Sequence, residues 1–485
     1  MKTLHLHVLS VCCVVLLAAC TAHQPIPNRP ESIETGEVNF EIPEPERWEL
    51  PNGLTVLYYY NDELPQMRGT MYFPGGSLTD YSGVPGLLEA TGNQMREGSI
   101  EGVSPQALDK RLDDLAASIE SGFGDEYGSV GFYSLEEDFP EVFKLFTAVI
   151  RKPAFDASRL KLWQQLANEA IRRRRDAPDT MANMAFADLV YGPDSQFAKV
   201  ASPESVAKVT RREMQKMHRL FVRPDGAYLA ISGSIPRKQV EPMIQQAFGD
   251  WPRGVEQRPP LPELRHSVEP GIYLLQRDFD QATIIIGHRG PPRHIPDVYP
   301  LKIFNQLFGH SGFGSVLFNR IRSQLGLAYS VYGGVFPGTV EGLFQIAMGT
   351  RVNQAPTAIR TALEITKEAE QASPPEDDFV DAKAAVTRSF VFRFADPAFV
   401  VNRVAILELL GFPPGYDQQY LDRIAEVSPE AVREAAAKWI APEDVVIVVV
   451  GNVTPEELRS VFGEQFPIRT FTFDTEPRFS GSSGR

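Results

Sequence analysis

Apolar and polar residues alternate along the chain in a pattern that predicts both strands and helices. Asn52 and Gly53 separate two apolar runs between residues 48 and 57, which is the turn signal of a β-hairpin. A strand around residues 70–73 follows, and helical patterns then alternate with strands up to about residue 250. This pattern predicts an α+β fold.

One segment of the pattern occurs twice. Pro224 and Pro442 each precede a buried apolar strand, which ends at Gly233 in the first copy and at Gly451 in the second. The two prolines are 218 residues apart, as are the two glycines, and the helix before each proline keeps this spacing. A constant spacing over the whole segment predicts two tandem homologous domains of roughly 210 residues each.

The first twenty residues have a different pattern. Lys2 precedes an apolar run over residues 8–19, whose length suits the core of a signal peptide and is too short for a membrane span. The run ends in Leu-Ala-Ala-Cys at Cys20, which resembles the cleavage box of bacterial lipoproteins. By this resemblance Cys20 becomes the lipidated first residue, and Thr21 in place of Asp favours the outer membrane. The alternative is an ordinary signal peptide with an incidental cysteine.

Composition excludes several classes of function. The formal net charge of −14 argues against nucleic acid as a partner. The cysteines are Cys12, Cys13 and Cys20, so cleavage before Cys20 leaves no disulfide, no thiolate metal ligand and no cysteine nucleophile in the globular part. The hydrophobic fraction of 43% is sufficient for a large core that needs no metal to hold it.

These patterns together predict a division of the chain into six parts. They are a lipoprotein signal peptide (1–19), the lipidated Cys20 with a tether (20–44), an N-terminal domain (45–250), a Pro-rich linker (251–270), a C-terminal domain (271–470) and a flexible tail (471–485).

Two tandem α+β domains of this size resemble the pitrilysin/insulinase-type (inverzincin) zinc peptidases. Local patterns agree with the family: Gly75-Gly76-Ser77 after a strand, the helix that opens near Gly86, and a Pro-x-Phe turn at residues 153–155. The resemblance covers roughly residues 45–470. It implies that each domain is a mostly antiparallel sheet packed with helices, as in the processing peptidases.

The sequence departs from this family at the zinc motif, His-x-x-Glu-His. In the family the two His lie one helical turn apart and bind one zinc, while the Glu acts as general base. Here Gly86 and Ala90 stand at the His positions and Glu89 remains. Trp163 falls at the position of the distal Glu ligand, with Glu169 the nearest carboxylate. We therefore expect no metal and no other cofactor on this chain.

The second domain keeps a different family element. Arg322, Gly326 and Tyr329 match the pattern Arg-x-x-x-x-Gly-x-x-Tyr, in which Gly326 ends a helix and a strand follows. The resemblance implies that Arg322 and Tyr329 bind substrate, because Arg holds carbonyls with several donors and a Tyr hydroxyl can donate to an oxyanion. The alternative is that the element only organises the fold.

Half-size members of the family work as dimers, and in some heterodimers one chain carries zinc while the other carries the Arg/Tyr pair. The resemblance therefore implies that this chain is the non-catalytic, substrate-binding subunit of a heterodimeric zinc metalloendopeptidase. It would be inactive alone, anchored through lipid at Cys20, and would face peptide substrates in the periplasm. Its expected partner is a pitrilysin-type chain with an intact His-x-x-Glu-His and the zinc. The alternative is a scaffold or peptide-binding protein of the cell envelope.

Overall fold

The computed structural model describes residues 40–479. The predicted signal peptide, Cys20 and most of the tether lie outside these residues, as does the end of the predicted tail. No helix within residues 40–479 combines the length and the apolar character that crossing a membrane requires.

The first sheet has six strands in the order β1-β2-β6-β3-β5-β4. Neighbouring strands are antiparallel except for β2 and β6, which are parallel. The predicted hairpin forms, since Trp48 pairs with Val56 across the turn at Asn52 and Gly53. The strands are β1 (Glu46–Glu49), β2 (Thr55–Tyr60), β3 (Gln66–Pro74), β4 (Ser118–Phe123), β5 (Tyr127–Leu135) and β6 (Tyr228–Gly233).

The second sheet has seven strands in the order β13-β12-β7-β11-β8-β10-β9. Strand β7 is parallel to β11 and β12, and the other pairs are antiparallel. The strands are β7 (Gly271–Gln276), β8 (Gln281–Gly290), β9 (Ala328–Phe336), β10 (Gly342–Arg351), β11 (Val446–Gly451), β12 (Ile468–Phe473) and β13 (Pro477–Phe479).

Helices cover both sheets, which gives the mixed α+β architecture that the sequence predicts. They are α1 (Leu87–Glu97), α2 (Pro105–Asp114), α3 (Phe139–Arg151), α4 (Ala157–Arg173), α5 (Pro178–Tyr191), α6 (Pro203–Lys208), α7 (Arg211–Phe221), α8 (Arg237–Phe248), α9 (Val298–Asn305), α10 (Ala355–Gln371), α11 (Glu376–Phe392), α12 (Pro397–Leu409), α13 (Tyr416–Ala425), α14 (Pro429–Trp439) and α15 (Pro455–Phe462).

The repeated segment of the sequence forms the same structure in both halves. Strands β6 and β11 occupy equivalent positions, because β2-β6-β3-β5-β4 and β7-β11-β8-β10-β9 are the same strand order. The helix before each strand starts with a hydroxyl cap. Thr210 accepts from the Glu213 N–H, and Ser428 accepts from the Ala431 N–H. These caps satisfy N–H groups that the helix leaves free, so both copies start the helix at the same point.

Each half also contributes one helix to the sheet of the other half. Helix α5 packs on β8 and β11, where Phe186 joins a core cluster with Val448. Helix α12 packs on β2 and β6, where Val401 joins a cluster with Leu57 and Ala230. The described residues from Ile42 onward accordingly form one compact unit.

The ordered structure extends beyond residue 471, where the sequence predicts a flexible tail. Strand β12 pairs with β7, and β13 pairs with β12. Phe471 and Phe473 are both buried in the cluster beneath α5. Burying two aromatic rings offsets the entropy lost on ordering this segment, so the tail prediction is wrong for residues 471–479.

Candidate functional site

Helix α1 carries the altered motif and begins directly after Gly86. Gly86 is the N-cap and has a left-handed backbone with φ of 89°. Its carbonyl accepts from the Ala90 N–H at 2.9 Å, so the two residues that the sequence analysis places at the His positions lie one helical turn apart. A Cβ at Gly86 would lie 3.0 Å from the Ala201 Cβ. Both the φ angle and this contact favour glycine, so position 86 is now a cap.

The other two replaced positions belong to the hydrophobic core. Ala90 is fully buried in the core of the first sheet, and Trp163 on α4 packs against the same core. Only Glu89 of the four positions presents a ligand atom. Within residues 40–479 no group of three or more His, Cys, Asp or Glu side chains is arranged to hold a metal ion. The residues at the motif therefore do not fit a zinc site.

The Glu89 side chain reaches solvent, but neighbouring groups cover part of its carboxylate. Burial raises the pKa of Glu89, and the nearby charge of Arg174 opposes this rise. The Arg174 guanidinium donates to the carbonyls of Ala201 at 2.8 Å and Thr475 at 3.5 Å. Glu169 does not join this group, because its carboxylate pairs with Arg172 on the same helix. The charge of Arg174 thus favours the ionised form of Glu89.

Two further carboxylates belong to this region, and no sequence pattern predicted either: Glu476 lies near Arg174, and Asp188 lies near Glu476. Asp188 is on α5, and Glu476 is in the turn between β12 and β13. Burial raises the pKa of Asp188 to about 7, and the charge of Glu476 adds to the rise. These residues are far apart in the sequence, and no pattern along the chain brings them together. Only the packing of α5 against the C-terminal strands does so.

We expect Asp188→Asn to stabilise the protein above pH 7. The pKa of Asp188 is about 7 in the folded protein and about 4 in an unfolded chain. Ionisation therefore lowers stability as pH rises from about 4 to about 7. The shift is worth at most about 4 kcal/mol, and we expect roughly 2 kcal/mol because solvent reaches part of the side chain.

Urea unfolding of Asp188→Asn and the parent at several pH values measures this effect. The two proteins should be equally stable near pH 4 and diverge towards pH 8. The exposed Asp194→Asn is the control and should show no pH-dependent difference. A constant difference between Asp188→Asn and the parent at every pH would contradict the assignment.

The Arg/Tyr element lies at one edge of the second sheet. A π-helical segment (Phe318–Gln324) ends before Gly326, whose φ of 59° lets the chain turn into β9. Tyr329 is the second residue of β9, which is the outermost strand on this side. The predicted order of helix, glycine and strand is therefore present. Its role in substrate binding stays a prediction.

Both side chains of the element face solvent. Tyr329 is 54% exposed, and Arg322 is exposed with its guanidinium carbon 4.7 Å from the centre of the Phe318 ring. Among the described residues, neither has a side-chain hydrogen bond or ion pair. The Tyr329 ring lies over Gly349 of β10, where any Cβ would collide with it. Gly349, which the sequence analysis missed, thus makes room for Tyr329.

An exposed apolar surface surrounds the element. We call Phe313, Arg322, Leu325, Tyr329 and Tyr332 the β9 surface. Its four apolar members are each more than 50% exposed. The Phe313 ring contacts the Phe318 ring edge-on, with the ring centres 4.6 Å apart. Clustered exposed aromatic groups beside a free strand edge are typical of a surface that contacts another molecule.

Two sheets that share a five-strand order, each packed with a helix from the other half, define a two-domain pitrilysin-type fold. Comparison with known proteins agrees. Residues 208–386 match the family model described as "Peptidase M16 inactive domain". The chain is a homologue of the M16 peptidases, the pitrilysin/insulinase family, and the resemblance seen in the sequence is confirmed.

Similar curated proteins span most of the chain. An uncharacterized zinc protease of Mycobacterium tuberculosis is 22% identical over 429 residues, which cover 86% of this chain and 97% of that protein. The non-peptidase homolog YmxG of Helicobacter pylori is 22% identical over 400 residues, which cover 82% of this chain and 91% of that protein. The names of these relatives therefore include both proteases and a non-peptidase.

Solved structures share the fold. The peptidase M16 inactive domain from Pseudomonas fluorescens has a TM-score of 0.76 and 23% identity, covering 85% of this chain and 98% of that one. A protease from Helicobacter pylori has a TM-score of 0.75 and 15% identity, covering 85% of this chain and 100% of that one. At these identities the likeness establishes the two-domain fold.

Proposed function

We propose that this M16 homologue is the non-catalytic, substrate-binding subunit of a heterodimeric zinc metalloendopeptidase. The observation that carries the proposal is a contrast between two elements. The zinc positions Gly86 and Ala90 serve as a helix cap and a core residue. The Arg/Tyr element, by comparison, keeps both polar side chains exposed, and neither has a side-chain hydrogen bond or ion pair among the described residues.

The exposure of the Arg322 and Tyr329 side chains supports a role in contact with another molecule. Tyr329 contributes little to the core, since more than half of its surface is exposed. Its ring lies over a glycine, Gly349, where a Cβ would collide with it. An exposed tyrosine and arginine that pack little are more readily explained by contact with another molecule than by stability. The peptide and the partner chain would both approach from the β9 surface.

The chain's own contribution to the reaction would be binding and positioning. Arg322 presents fixed guanidinium donors that suit peptide carbonyls. The Tyr329 hydroxyl would donate a hydrogen bond to the oxyanion that forms when a peptide carbonyl is attacked. The partner would supply the metal and the general base, so neither step needs a ligand from Gly86 or Ala90.

The proposed subunit role is tested on the isolated chain and on the complex of this chain with a zinc-bearing partner. Purified alone, the chain should hold no stoichiometric zinc and cleave no quenched unstructured peptide, because only Glu89 remains of the motif. Mixed with an M16 chain that carries an intact His-x-x-Glu-His, it should form a complex that cleaves the peptide. Zinc is measured by mass spectrometry and assembly by size-exclusion chromatography. Zinc that survives mild chelation of the isolated chain would contradict the proposal.

We further propose that the subunit is anchored in the cell envelope, in the outer membrane facing the periplasm, through lipid at Cys20. The support is the Leu-Ala-Ala-Cys sequence after an apolar run. Cys20→Ser should abolish the lipid mass on the mature N-terminus and release the protein from the membrane fraction. Stable membrane anchoring needs more than one acyl chain, because a single chain binds the membrane only marginally. Loss of the whole lipid group should therefore move the protein to the soluble fraction. Unchanged membrane retention of Cys20→Ser would rule out this anchor.

The competing function is a scaffold or peptide-binding protein without a part in catalysis. It is favoured by the name of the Helicobacter pylori relative, a non-peptidase homolog. Under this alternative the chain would still bind a partner or a peptide. Substitutions at Arg322 and Tyr329 would then leave any cleavage by the complex unchanged.

A further inference from the structure

A second concave site lies in the C-terminal half, among α9, α11, α13 and the end of β9. It is a cavity of about 720 Å³. This size is within the range of pockets that bind small molecules. The cavity is lined by Lys302 and Asn305 of α9, Phe390 of α11, Arg393 after it, and Tyr420 of α13. It contains none of the residues of the β9 surface or the altered zinc helix.

The lining has an excess of positive charge. Its carboxylate is Glu126, which already accepts two hydrogen bonds from the Arg293 guanidinium at 2.5 and 2.6 Å. Lys302 and Arg393 are the other charged residues of the lining. Among residues 40–479 neither has an ion pair or a side-chain hydrogen bond. The cavity therefore presents two cations without a counter-charge.

Asp417 supplies only part of that counter-charge. Asp417 is buried and accepts from the Arg403 guanidinium at 2.9 and 3.0 Å. Burial lowers the pKa of Lys302, and the charges of Arg403 and Arg393 lower it further, while Asp417 only partly opposes them. The Lys302 ammonium has instead a ring contact, 5.8 Å from the centre of Tyr420. Lys302 and Arg393 are both solvent-exposed, and two cations of one cavity that have no carboxylate partner among the described residues can bind an anion from solution.

Aromatic rings form the remaining wall. Phe390 and Tyr420 are both buried, and their rings stack with centres 4.2 Å apart. Phe412 and Tyr416 extend the wall, with ring centres 4.6 Å apart. Two cations alone would accept any anion. The rings select a ligand in which the negative charge is attached to an apolar group.

We propose that this cavity binds a small organic carboxylate that carries an aromatic or bulky aliphatic group. Lys302 and Arg393 hold the carboxylate, and the Phe390–Tyr420 pair contacts the apolar group. A free aromatic acid has this chemistry, and so does the C-terminal residue of a peptide. The inference rests on the cavity alone and is independent of the function proposed for Arg322 and Tyr329.

Binding of N-acetyl-L-phenylalanine to the purified chain tests the proposal by calorimetry. The neutral N-acetyl-L-phenylalaninamide has the same ring without the charge. It should bind at least about tenfold more weakly, because the charge-assisted hydrogen bonds are lost. Inorganic phosphate has the charge without the ring and should not displace the acid at equal concentration. Equal binding of the amide, or full displacement by phosphate, overturns the proposal without reference to any variant.

A pair of double variants locates the site. Lys302→Gln with Arg393→Gln should weaken binding of the acid by about tenfold or more, since both ligand-holding charges are removed. Its melting temperature without ligand should not fall, because the removed cations are uncompensated. Arg360→Gln with Lys367→Gln removes the same charges from the exposed face of α10 and should bind as the parent does. Parental affinity in the cavity variant would overturn the assignment.

The source of the carboxylate is decided by one further probe. The tripeptide Ala-Ala-Phe ends in the same aromatic carboxylate but adds two residues. If it binds as tightly as N-acetyl-L-phenylalanine or better, the cavity admits a peptide C-terminus. If it binds far more weakly, the ligand is a free acid.

Discussion

Replacing Tyr329 by Phe is expected to lower the turnover of the assembled peptidase pair by about a hundredfold or more. The change removes only the hydroxyl, which in the proposed complex donates to the oxyanion of the tetrahedral intermediate. Tyr329 is 54% exposed and makes no side-chain hydrogen bond among the described residues, so folding should be unaffected. Because the hydrogen bond forms only in the transition state, kcat should fall while KM changes little.

The matched control is Tyr332→Phe on the same strand. Tyr332 is also exposed, at 56%, and belongs to the same strand, but it lies outside the Arg-x-x-x-x-Gly-x-x-Tyr element. Its hydroxyl should be dispensable. Arg322→Ala should raise KM, because its donors contact the peptide before the chemical step. If Tyr329→Phe and Arg322→Ala both assemble and cleave at the parental rate, the scaffold function replaces the one proposed.

Restoring both histidines in Gly86→His/Ala90→His is expected to destabilise the protein by roughly 3–5 kcal/mol without creating a zinc site. Ala90 is fully buried, so an imidazole there overfills the core and buries polar nitrogens. Gly86 has a φ of 89° and a neighbour 3.0 Å from the added Cβ, so any side chain there is strained. In the family alignment predicted from the sequence, Trp163 stands at the position of the third ligand.

Two single variants separate the causes of this destabilisation. Gly83→His adds a side chain at a φ of 72° in open space and measures backbone strain alone. Ala170→His adds an imidazole on the exposed face of α4 and should be nearly neutral. Urea unfolding gives the free energies, and mass spectrometry gives the zinc content. A double variant that is as stable as the parent and retains zinc through chelation would contradict this prediction. It would mean that the surroundings of residues 86 and 90 still fit a zinc site and that only the two His ligands are absent.

The features that identify the family in the sequence are local along the chain. The Asn52–Gly53 hairpin, the repeat that ends at Gly233 and Gly451, and the Gly326 turn each depend on residues close in sequence. Turn and strand patterns of this kind have direct sequence signals, because backbone conformation and side-chain periodicity act over a few residues. The loss of zinc ligands at Gly86 and Ala90 was equally visible, since ligand chemistry depends on residue type.

Several features were beyond sequence reasoning because they depend on contacts between distant segments. Asp188 lies near Glu476, and Glu476 lies near Arg174, only because α5 packs against the C-terminal strands. The same packing orders residues 471–479, which the composition predicted to be a flexible tail. The exchange of α5 and α12 between the sheets has no counterpart in the periodicity of either helix.

By itself, then, the sequence determined the α+β class, the internal repeat, the altered zinc motif and the Arg322–Tyr329 element, since each is a local pattern of residue types. The tertiary structure decided what those residues now do. It made Gly86 a left-handed helix cap and Ala90 a core residue, and it left Tyr329 exposed over Gly349. It also brought the uncompensated charges of Lys302 and Arg393 into one cavity. Burial and the absence of a counter-charge are properties of the surroundings of a residue, and those surroundings come from segments far away in the chain.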